Sequence, residues 1–592
     1  MKINEKLQKL RELMKEYSID AYIIPSFDAH QSEYVAEHWK CRQWISGFTG
    51  SAGTVVVTLS EAGLWTDGRY HIQAEKQLKG TGIKLFKEGL PDVPSYVDWL
   101  NEILFNNSVI GFDGRVFSTA AVKKMQKKFM NKNIKIQSDY DLIGAIWNDR
   151  PDIPDNPIMD HDVKYAGKSR IEKLAMVREN MTKNKAQYYV LSSLDDIAWL
   201  FNIRGNDVNN NPVVTSYALI EKENAFLFVD TNKVNNITKG KLEEDGVIIK
   251  HYNEIKEYIE KIEQNETIIF DPSKTNFWLY SSIKPNVKKV EELNITTKLK
   301  SIKNSVEIEN LKNCEIRDCI AVVKFMKWLE ENIEREEITE ITVEEKLKYF
   351  RSQQKLFMNT SFDTIAGYKE HAAMMHYKAT EENTYKLKKE GFLLFDSGGQ
   401  YLDGTTDITR TISLGNISEE EKKDFTLVLK GMIDLSMIKF LYGTTGSNLD
   451  IIARMPIWQQ GIDYKCGTGH GVGFFLNVHE GPHRISLAPN DIKLEEGMVV
   501  TNEPGIYKEN RHGIRLENML LVVNDEKTEF GQFMKFETLT YCPIDIEAID
   551  VTMLTDEERN WLNNYHKQVY DKLSIYLNED EKQWLKNKTR KI

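Results

Sequence analysis

The segment of residues 392–410, FLLFDSGGQYLDGTTDITR, constrains the fold of this chain more than any other segment. An apolar run ends on Asp396, a second short run ends on Asp407, and two glycine-containing pairs lie between them. The pattern predicts a strand, a turn whose residues accept a positive φ, and a returning strand. Such a hairpin holds two carboxylates side by side, and they repel each other unless a cation lies between them. An isolated pair would be read as turn or cap aspartates, but the rest of the chain argues against that.

Length and composition limit the classes of protein that this chain can belong to. With 592 residues, it is expected to form roughly three or four domains. A net charge of -11 disfavours nucleic acid or a membrane surface as the main partner. The five cysteines show no CxxC spacing, which favours a reducing, cytoplasmic setting over a disulfide framework. We find no apolar leader and no run of about 18 apolar residues, so we expect no signal peptide and no membrane span.

The order of apolar and polar segments predicts three domains. Residues 1–150 alternate short strands with helical patterns, and a proline-rich segment around residues 150–157 marks a boundary. Residues 151–300 repeat the same order of elements, which indicates two related α/β domains without clear residue identity. Residues 301–592 begin with a long helical pattern at Ser301, continue with antiparallel-looking strands, and end in an amphipathic helical tail. The expected fold class is therefore α/β (α+β).

Four further segments of the third domain carry side chains suited to chemistry. They are SFDTIAGYKEHAAMMHY, CGTGHGVGFFLNVHEGP with the histidine that follows it, GMVVTNEPGIY and HGIRLENMLLVV. Each places its polar side chains at a strand end or in a glycine-rich turn, where residues distant in sequence can converge on one point. The candidates are His371, His376, His470, His479, His483, Glu503, Arg515 and Glu517.

Four carboxylates and an imidazole form a ligand set for metal ions. Oxygen ligands with one histidine suit Mn²⁺, Fe²⁺, Co²⁺ or Zn²⁺. Four negative charges exceed what one divalent ion balances well, so two ions about 3.5–4 Å apart are the natural arrangement. A water that bridges two such ions loses a proton near neutral pH and becomes a nucleophile. The residues therefore predict metal-assisted hydrolysis.

These segments resemble the metallopeptidase family that includes methionine aminopeptidase and prolidase, which has the pita-bread fold. The motifs HQSEY, WISGFTGSAGT, LDDIAWLFNIRG, DGTTDITRT, GTGHGVG and EPG are more narrowly similar to the long, three-domain aminopeptidase P group. The resemblance covers nearly the whole chain. It implies two creatinase-like N-terminal domains and a C-terminal pita-bread catalytic domain.

The resemblance also implies a role for each candidate residue. Asp396 is expected to bind one metal ion, Asp407 and Glu517 to bridge both ions, and His470 and Glu503 to complete the second site. Glu503 is a candidate proton shuttle, and Arg515 is expected to orient the acids. Substrate contacts are expected from His376 and His479, which face the scissile carbonyl, and from the apolar wall at Phe362. His483, which follows Gly481-Pro482, is nominated as a rim residue near the substrate, with no role as the alternative.

The implied activity is that of a metal-dependent aminopeptidase that hydrolyses the N-terminal Xaa-Pro bond through a dinuclear metal-bridged hydroxide. We expect two divalent ions per subunit, with Mn²⁺ preferred over Zn²⁺, Co²⁺ or Fe²⁺. The expected substrates are peptides with proline second, and the expected assembly is a cytoplasmic homodimer formed through the third domain.

Two alternatives remain open at this point. One is a prolidase that cleaves only Xaa-Pro dipeptides, and the other is a non-catalytic pita-bread protein that binds peptides. The sequence also departs from the family pattern at Cys466, where long members usually carry histidine. This departure affects one expected substrate contact and leaves the five expected ligands intact.

Overall fold

The computed structural model describes residues 1–592. The chain divides into two compact units, one formed by residues 1–160 and 168–296 and the other by residues 161–167 and 297–592. The three domain boundaries expected from the sequence stay predictions. No helix combines the length and the apolar composition that crossing a bilayer requires.

The first unit contains two α/β sheets in succession. The elements before residue 150 are α1 (Ile3–Glu16), β1 (Ala21–Ile24), α2 (Cys41–Ser46), β2 (Thr54–Thr58), β3 (Ala62–Thr66), α3 (His71–Gln77), β4 (Lys84–Lys87), α4 (Tyr96–Ile103), β5 (Val109–Gly111), α5 (Thr119–Phe129), β6 (Lys135–Gln137) and α6 (Leu142–Ile146). Those that follow, up to the third domain, are β7 (Met159–Asp160), α7 (Val163–Ala166), α8 (Arg170–Lys183), β8 (Tyr188–Leu191), α9 (Leu194–Leu200), β9 (Ile203–Arg204), β10 (Ser216–Glu221), β11 (Ala225–Val229), α10 (Asn236–Glu244), β12 (Val247–His251), α11 (Ile255–Lys261), β13 (Thr267–Phe270), α12 (Phe277–Ser282), β14 (Lys288–Glu291) and α13 (Ile295–Ser301). Of these, α7 packs in the second unit and α13 crosses the boundary between the units.

The two N-terminal sheets share one topology. The first has the strand order β4-β3-β2-β1-β5-β6 and the second has the order β12-β11-β10-β8-β13-β14. In each sheet, the first three strands in chain order pair antiparallel, and the remaining pairs are parallel. The predicted duplication of architecture is therefore confirmed.

Local sequence explains where these elements form. Three side chains at helical spacing, Leu7, Leu10 and Met14, are buried on one face of α1. The helix α8, which precedes the first strand of the second sheet, starts at a capping box in which Ser169 accepts a hydrogen bond from the backbone of Glu172. The strands β1 and β11 are buried along their whole length, as expected for sheets covered by helices on both faces.

The remaining elements form the second unit. They are α14 (Ser305–Asn332), α15 (Glu340–Ser352), β15 (Phe357–Thr360), β16 (Ile365–Tyr368), β17 (Phe392–Ser397), β18 (Gly399–Tyr401), β19 (Gly404–Thr405), β20 (Ile408–Ser413), α16 (Glu419–Met437), β21 (Phe440–Leu441), α17 (Gly446–Trp458), β22 (Gly469–Gly471), β23 (Glu480–Ile485), β24 (Val499–Asn502), β25 (Gly505–Lys508), β26 (His512–Arg515), β27 (Asn518–Thr528), β28 (Gly531–Thr538), α18 (Asp556–Leu573) and α19 (Glu579–Lys588).

Two antiparallel sheets position the functional residues of this unit. One has the order β16-β17-β20 and the other has the order β21-β28-β27-β24-β22-β23. The long helix starts at Ser305 rather than at Ser301, because Asn304 caps it by accepting hydrogen bonds from the backbone N–H groups of Val306 and Glu307. The C-terminal tail packs on this unit, with Leu562 and Val569 of α18 in its core, as the amphipathic pattern predicted.

A buried histidine ties the tail helix α18 to this core. His566 is 1% exposed, and its Nε2 accepts a hydrogen bond from the backbone N–H of Ile544 at 3.1 Å. Burial, and then the nearby charge of Arg410, lower the pKa of His566 to about 3. Its neutral form is therefore the one that the fold stabilises.

We predict that His566 makes the fold weaken as the pH falls. Because the folded-state pKa lies below the ordinary value near 6.5, the unfolded chain takes up this proton first, and stability falls by up to ~1.4 kcal/mol per pH unit from about pH 6.5 downwards. The melting temperature of His566→Gln should therefore fall less than that of the unaltered protein between pH 7.5 and 5.5. The exposed His251, changed to Gln, is the control. Equal shifts for His566→Gln and the unaltered protein would contradict the prediction.

Candidate metal centre

Two strands bring the first pair of acids together. Asp396 lies in β17 opposite Thr409 of β20, and Asp407 directly precedes β20. The residues between the two acids leave this sheet and form the hairpin β18-β19, which pairs with β15, so the connection is longer than the simple turn that the sequence predicted. The chain passes so closely here that a Cβ on Gly398 would lie 1.9 Å from the carbonyl oxygen of Thr406. Only glycine allows this approach.

The imidazole of His470 faces two of the acids. From β22, its Nε2 lies 3.4 Å from Oδ2 of Asp407 and 3.4 Å from Oε1 of Glu503. Its Nδ1 lies 2.8 Å from the carbonyl oxygen of Gly471. That contact favours the proton on Nδ1, which leaves the Nε2 lone pair directed at the carboxylates. The backbone N–H of Glu503 donates to the carbonyl of Thr468 at 2.8 Å, which fixes the acid beside the same loop.

Glu517 completes the group from the turn between β26 and β27. Its Oε2 accepts a hydrogen bond from Oγ1 of Thr409 at 2.8 Å, and the side chain is almost wholly buried. One ligand atom each from Asp407, His470 and Glu517 lies within 4.8 Å of the others. Glu503 adjoins this cluster through His470, and Asp396 lies opposite Thr409, whose hydroxyl contacts Glu517.

Burial and neighbouring charges raise the pKa of two of the acids, Asp396 and Glu517. Burial, followed by the charges of Asp407 and Glu503, raises the pKa of Asp396 to about 6 against the opposing effect of Arg515. Burial and the three neighbouring carboxylates raise the pKa of Glu517 well above its ordinary value. For His470, burial lowers the pKa, but the contact with Asp407 and the charge of Glu503 outweigh it and raise the pKa to about 9. The centre therefore favours added positive charge.

A pair of divalent cations fits this arrangement. Oδ1 of Asp396 is buried and accepts no hydrogen bond, although buried polar atoms nearly always have a partner. The donor set of carboxylate oxygens and one imidazole nitrogen suits the harder divalent ions of the first transition series. Cations would supply both the missing partner of Asp396 and the missing positive charge.

Arg515 holds Asp396 in place from the end of β26. Its Nη2 donates to Oδ2 of Asp396 at 2.6 Å, its Nε to Oγ1 of Thr409 at 3.2 Å, and its Nη1 to the hydroxyl of Tyr507 at 2.7 Å. Arg515 thus contacts one of the acids, Asp396, and its expected role in orienting the acids stays a prediction. Sequence analysis missed Thr409 and Tyr507, although both lie on strands next to nominated residues.

The residues that were expected to contact the substrate lie in different parts of the second unit. The ring of His479 packs edge-on against that of His470, with centroids 4.3 Å apart. Phe362 is half-buried in the segment that leads into β16, whose first residue, Ile365, pairs with Asp396. His376 is half-buried and follows the 3-10 helix Lys369–Ala373.

His483 does not lie at a rim. It is 2% exposed, and its Nε2 lies 2.8 Å from the carbonyl oxygen of Val499. Burial lowers its pKa to about 4. The expected rim position is wrong, because the alternation of β23 points this side chain into the domain, where it is neutral.

Cys466 lies beside the centre as an unreactive thiol. Burial, followed by the charge of Glu503, raises its pKa to about 11. Its backbone carbonyl accepts a hydrogen bond from Nη2 of Arg454 at 2.8 Å. The sulfur is therefore protonated at neutral pH and adds no negative charge to the ligand set.

Profiles of known protein families match nearly the whole chain. The profile described as "Metallopeptidase family M24" matches residues 309–524, and that described as "C-terminal region of peptidase_M24" matches residues 532–592. Profiles described as "Creatinase/Prolidase N-terminal domain" match residues 6–141 and 149–307. Together with the duplicated sheets, these matches confirm the predicted fold class.

Individual relatives are similar over their full length. The "Probable Xaa-Pro aminopeptidase P" of Laccaria bicolor is 41% identical over 98% of this chain and 92% of that protein. "Aminopeptidase P2" of Arabidopsis thaliana is 41% identical over 100% of this chain and 89% of that protein. The crystal structure of X-prolyl aminopeptidase from Caenorhabditis elegans, described as a cytosolic enzyme with a di-nuclear active site, superimposes with a TM-score of 0.96 at 36% identity and covers 100% of both chains. This chain therefore belongs to metallopeptidase family M24, among the full-length Xaa-Pro aminopeptidases.

Proposed function

We propose that Asp396, Asp407, His470, Glu503 and Glu517 hold two divalent cations with which the enzyme hydrolyses the N-terminal Xaa-Pro bond of peptides. The observation that carries the assignment is the convergence of Asp407, Glu503 and Glu517 on the imidazole of His470, next to an Asp396 whose buried Oδ1 accepts no hydrogen bond. When bound, two divalent cations lower the pKa of a shared water and withdraw charge from the scissile carbonyl.

The pattern of the family implies how the five ligands would divide between the ions. Asp407 and Glu517 would serve both ions. Asp396 lies on the side held by Arg515 and serves one ion. His470 and Glu503, which face each other at 3.4 Å, serve the other.

Glu503 is the carboxylate best placed to move a proton. Its side chain is 19% exposed, compared with 11% for Asp396 and 5% for Asp407. Oε1 also accepts a hydrogen bond from Oγ1 of Thr501 at 3.1 Å, which holds the side chain in one orientation. We assign to Glu503 the transfer of a proton from water to the proline nitrogen, which has no N–H and leaves poorly until protonated.

The remaining residues contact the substrate in this proposal. The imidazoles of His376 and His479 donate hydrogen bonds to the scissile carbonyl and the neighbouring peptide group, and the contact of His479 with His470 places it beside the ligands. Phe362 packs against the proline ring. A free N-terminal amine that binds one cation fixes the cut after the first residue.

The metal, location and assembly complete the proposal. Mn²⁺ is assigned because the ligand set is rich in carboxylates. A cytosolic location follows the description of the Caenorhabditis elegans enzyme.

A homodimer is assigned to the catalytic domain, where Ile451, Met455 and Trp458 expose apolar side chains at helical spacing along α17.

Removing a bridging carboxylate is predicted to abolish activity by emptying the centre. Asp407→Asn and Glu517→Gln should each lower kcat/KM at least about 10³-fold and reduce bound Mn²⁺ below two ions per chain, because each loses a ligand shared by both ions. Elemental analysis and a peptidase assay measure both effects. Asp571→Asn, the same change on the exposed side of α18, should retain two ions and full rate. Normal metal content in Asp407→Asn would contradict the ligand assignment.

Substrate length is predicted to separate this enzyme from a dipeptidase. We expect release of arginine from Arg-Pro-Pro in the presence of Mn²⁺, loss of that activity after chelation, and slower cleavage of Gly-Pro. Chromatography of the released amino acid provides the measurement. A preference for Gly-Pro would instead favour the prolidase alternative, and metal-independent release would contradict the proposed centre.

The assembly is predicted to depend on the exposed face of α17. Sedimentation velocity should give twice the chain mass for the unaltered protein, and Trp458→Glu should shift the equilibrium towards the monomer, because it places a charge in an apolar contact. A monomer at micromolar concentration would contradict the homodimer. Unchanged association of Trp458→Glu would exclude this face.

A further inference from the structure

A buried carboxylate lies behind the segment that carries His376. Glu340, the first residue of α15, has a side chain with no exposed surface. Its Oε1 accepts from the backbone N–H of Tyr368 at 2.8 Å and lies 2.9 Å from Nδ1 of His371. Its Oε2 accepts from the hydroxyl of Tyr377 at 2.9 Å and from the backbone N–H of Tyr385 at 2.8 Å. One carboxylate thus binds four groups of a single segment.

The four groups span the whole segment, residues 368–385, that contains His376. Within it, the ring of His371 stacks on those of Tyr377 and Tyr385, with centroids 4.4 and 3.7 Å apart. His371, which the sequence nominated as a candidate, is therefore packed within this segment. Tyr377, the immediate neighbour of His376, is held at both its ring and its hydroxyl, which leaves little freedom for the backbone between them.

The other side of the segment packs against the strand β26, which leads to the candidate metal centre. A Cβ on Gly513 would lie 1.8 Å from the carbonyl oxygen of Ala372, so the 3-10 helix of the segment lies directly on β26. That strand ends on Arg515, which binds Asp396. The segment is thus held between the strand that orients a ligand on one side and Glu340 on the other.

We propose that Glu340 is a positioning residue, which fixes the imidazole of His376 relative to the scissile peptide. The proposal rests on the substrate role that the proposed function gives to His376. Glu340 itself touches neither the substrate nor the ligands. It acts by setting the backbone path of residues 368–385, so a loss of Glu340 affects catalysis through His376.

The hydrogen bonds around Glu340 are sensitive to substitution because a carboxylate only accepts hydrogen bonds. A carboxylate presents two acceptor oxygens, whereas glutamine presents one acceptor oxygen and an NH₂ group that donates. In Glu340→Gln, the NH₂ group faces a backbone N–H of the segment in either orientation of the amide, and two donors cannot form a hydrogen bond with each other. One part of the segment therefore loses the hydrogen bonds that hold it to residue 340. A displacement of about 1 Å at His376 is enough to lower the rate about 100-fold.

A double-mutant cycle between Glu340→Gln and His376→Ala tests the proposal. We expect Glu340→Gln to lower kcat/KM for Arg-Pro-Pro by about 10- to 100-fold while two Mn²⁺ ions remain bound. In the His376→Ala background, the same substitution should lower kcat/KM by less than about twofold, because the residue through which it acts is gone. An equal loss in both backgrounds would overturn the proposal and leave the proposed function standing. Unchanged activity of His376→Ala alone would contradict the proposed role of His376 and the inference with it.

Two further variants control for the fold. Glu337→Gln makes the same change three residues earlier, in an exposed ion pair with Lys386 at 2.9 Å, and should keep kcat/KM within about twofold. If Glu340→Gln does not fold, Tyr377→Phe removes one donor to Glu340 and keeps the ring. It should lower kcat/KM about 3- to 10-fold alone and less than twofold with His376→Ala, at a melting temperature that is followed in parallel. Additive losses in this second cycle would also overturn the proposal.

Discussion

The repulsion among four neighbouring carboxylates, three of them buried, is the constraint on which the catalytic half of this protein depends. The sheets rather than any single strand hold the four acids together. The acids lie at the ends of separate strands, and they are Asp396, Asp407, Glu503 and Glu517. The sheets provide the rigidity, and Arg515 offsets part of the charge. The remaining repulsion gives the centre its affinity for cations, so a feature that destabilises the isolated fold becomes the source of metal binding.

The sequence could nominate the proposed ligands because each one follows a local signal. Asp396 ends an apolar run, His470 lies among glycines, and Glu503 precedes Pro504-Gly505. Such signals show which residues are held at strand ends, and the resemblance to a known family supplied their roles. The duplicated N-terminal topology could be predicted in the same way, since it follows from the order of apolar runs rather than from residue identity.

The residues that sequence analysis missed or misplaced are defined by contacts between distant segments. Thr409, Tyr507 and Glu340 carry no local pattern, and their importance lies in partners up to 108 positions away. His483 was placed at a rim because it follows a Gly-Pro pair, but burial is decided by the strand against which β23 packs. The long helix starts at Ser305 rather than at the expected Ser301 for a similar reason. The hydrogen bonds that Asn304 accepts as the N-cap set this start, and the spacing of apolar residues does not show it.

The contact between Nδ1 of His470 and the carbonyl of the next residue, Gly471, has a further consequence. Because the ring is oriented by its own backbone, its direction does not depend on whether a cation is present. Loss of an ion therefore leaves this imidazole in its binding orientation, and a new ion can bind without rotation of the ring. Because a preformed ligand of this kind does not by itself select one divalent ion, the ion that is bound would also depend on which ions the cell supplies.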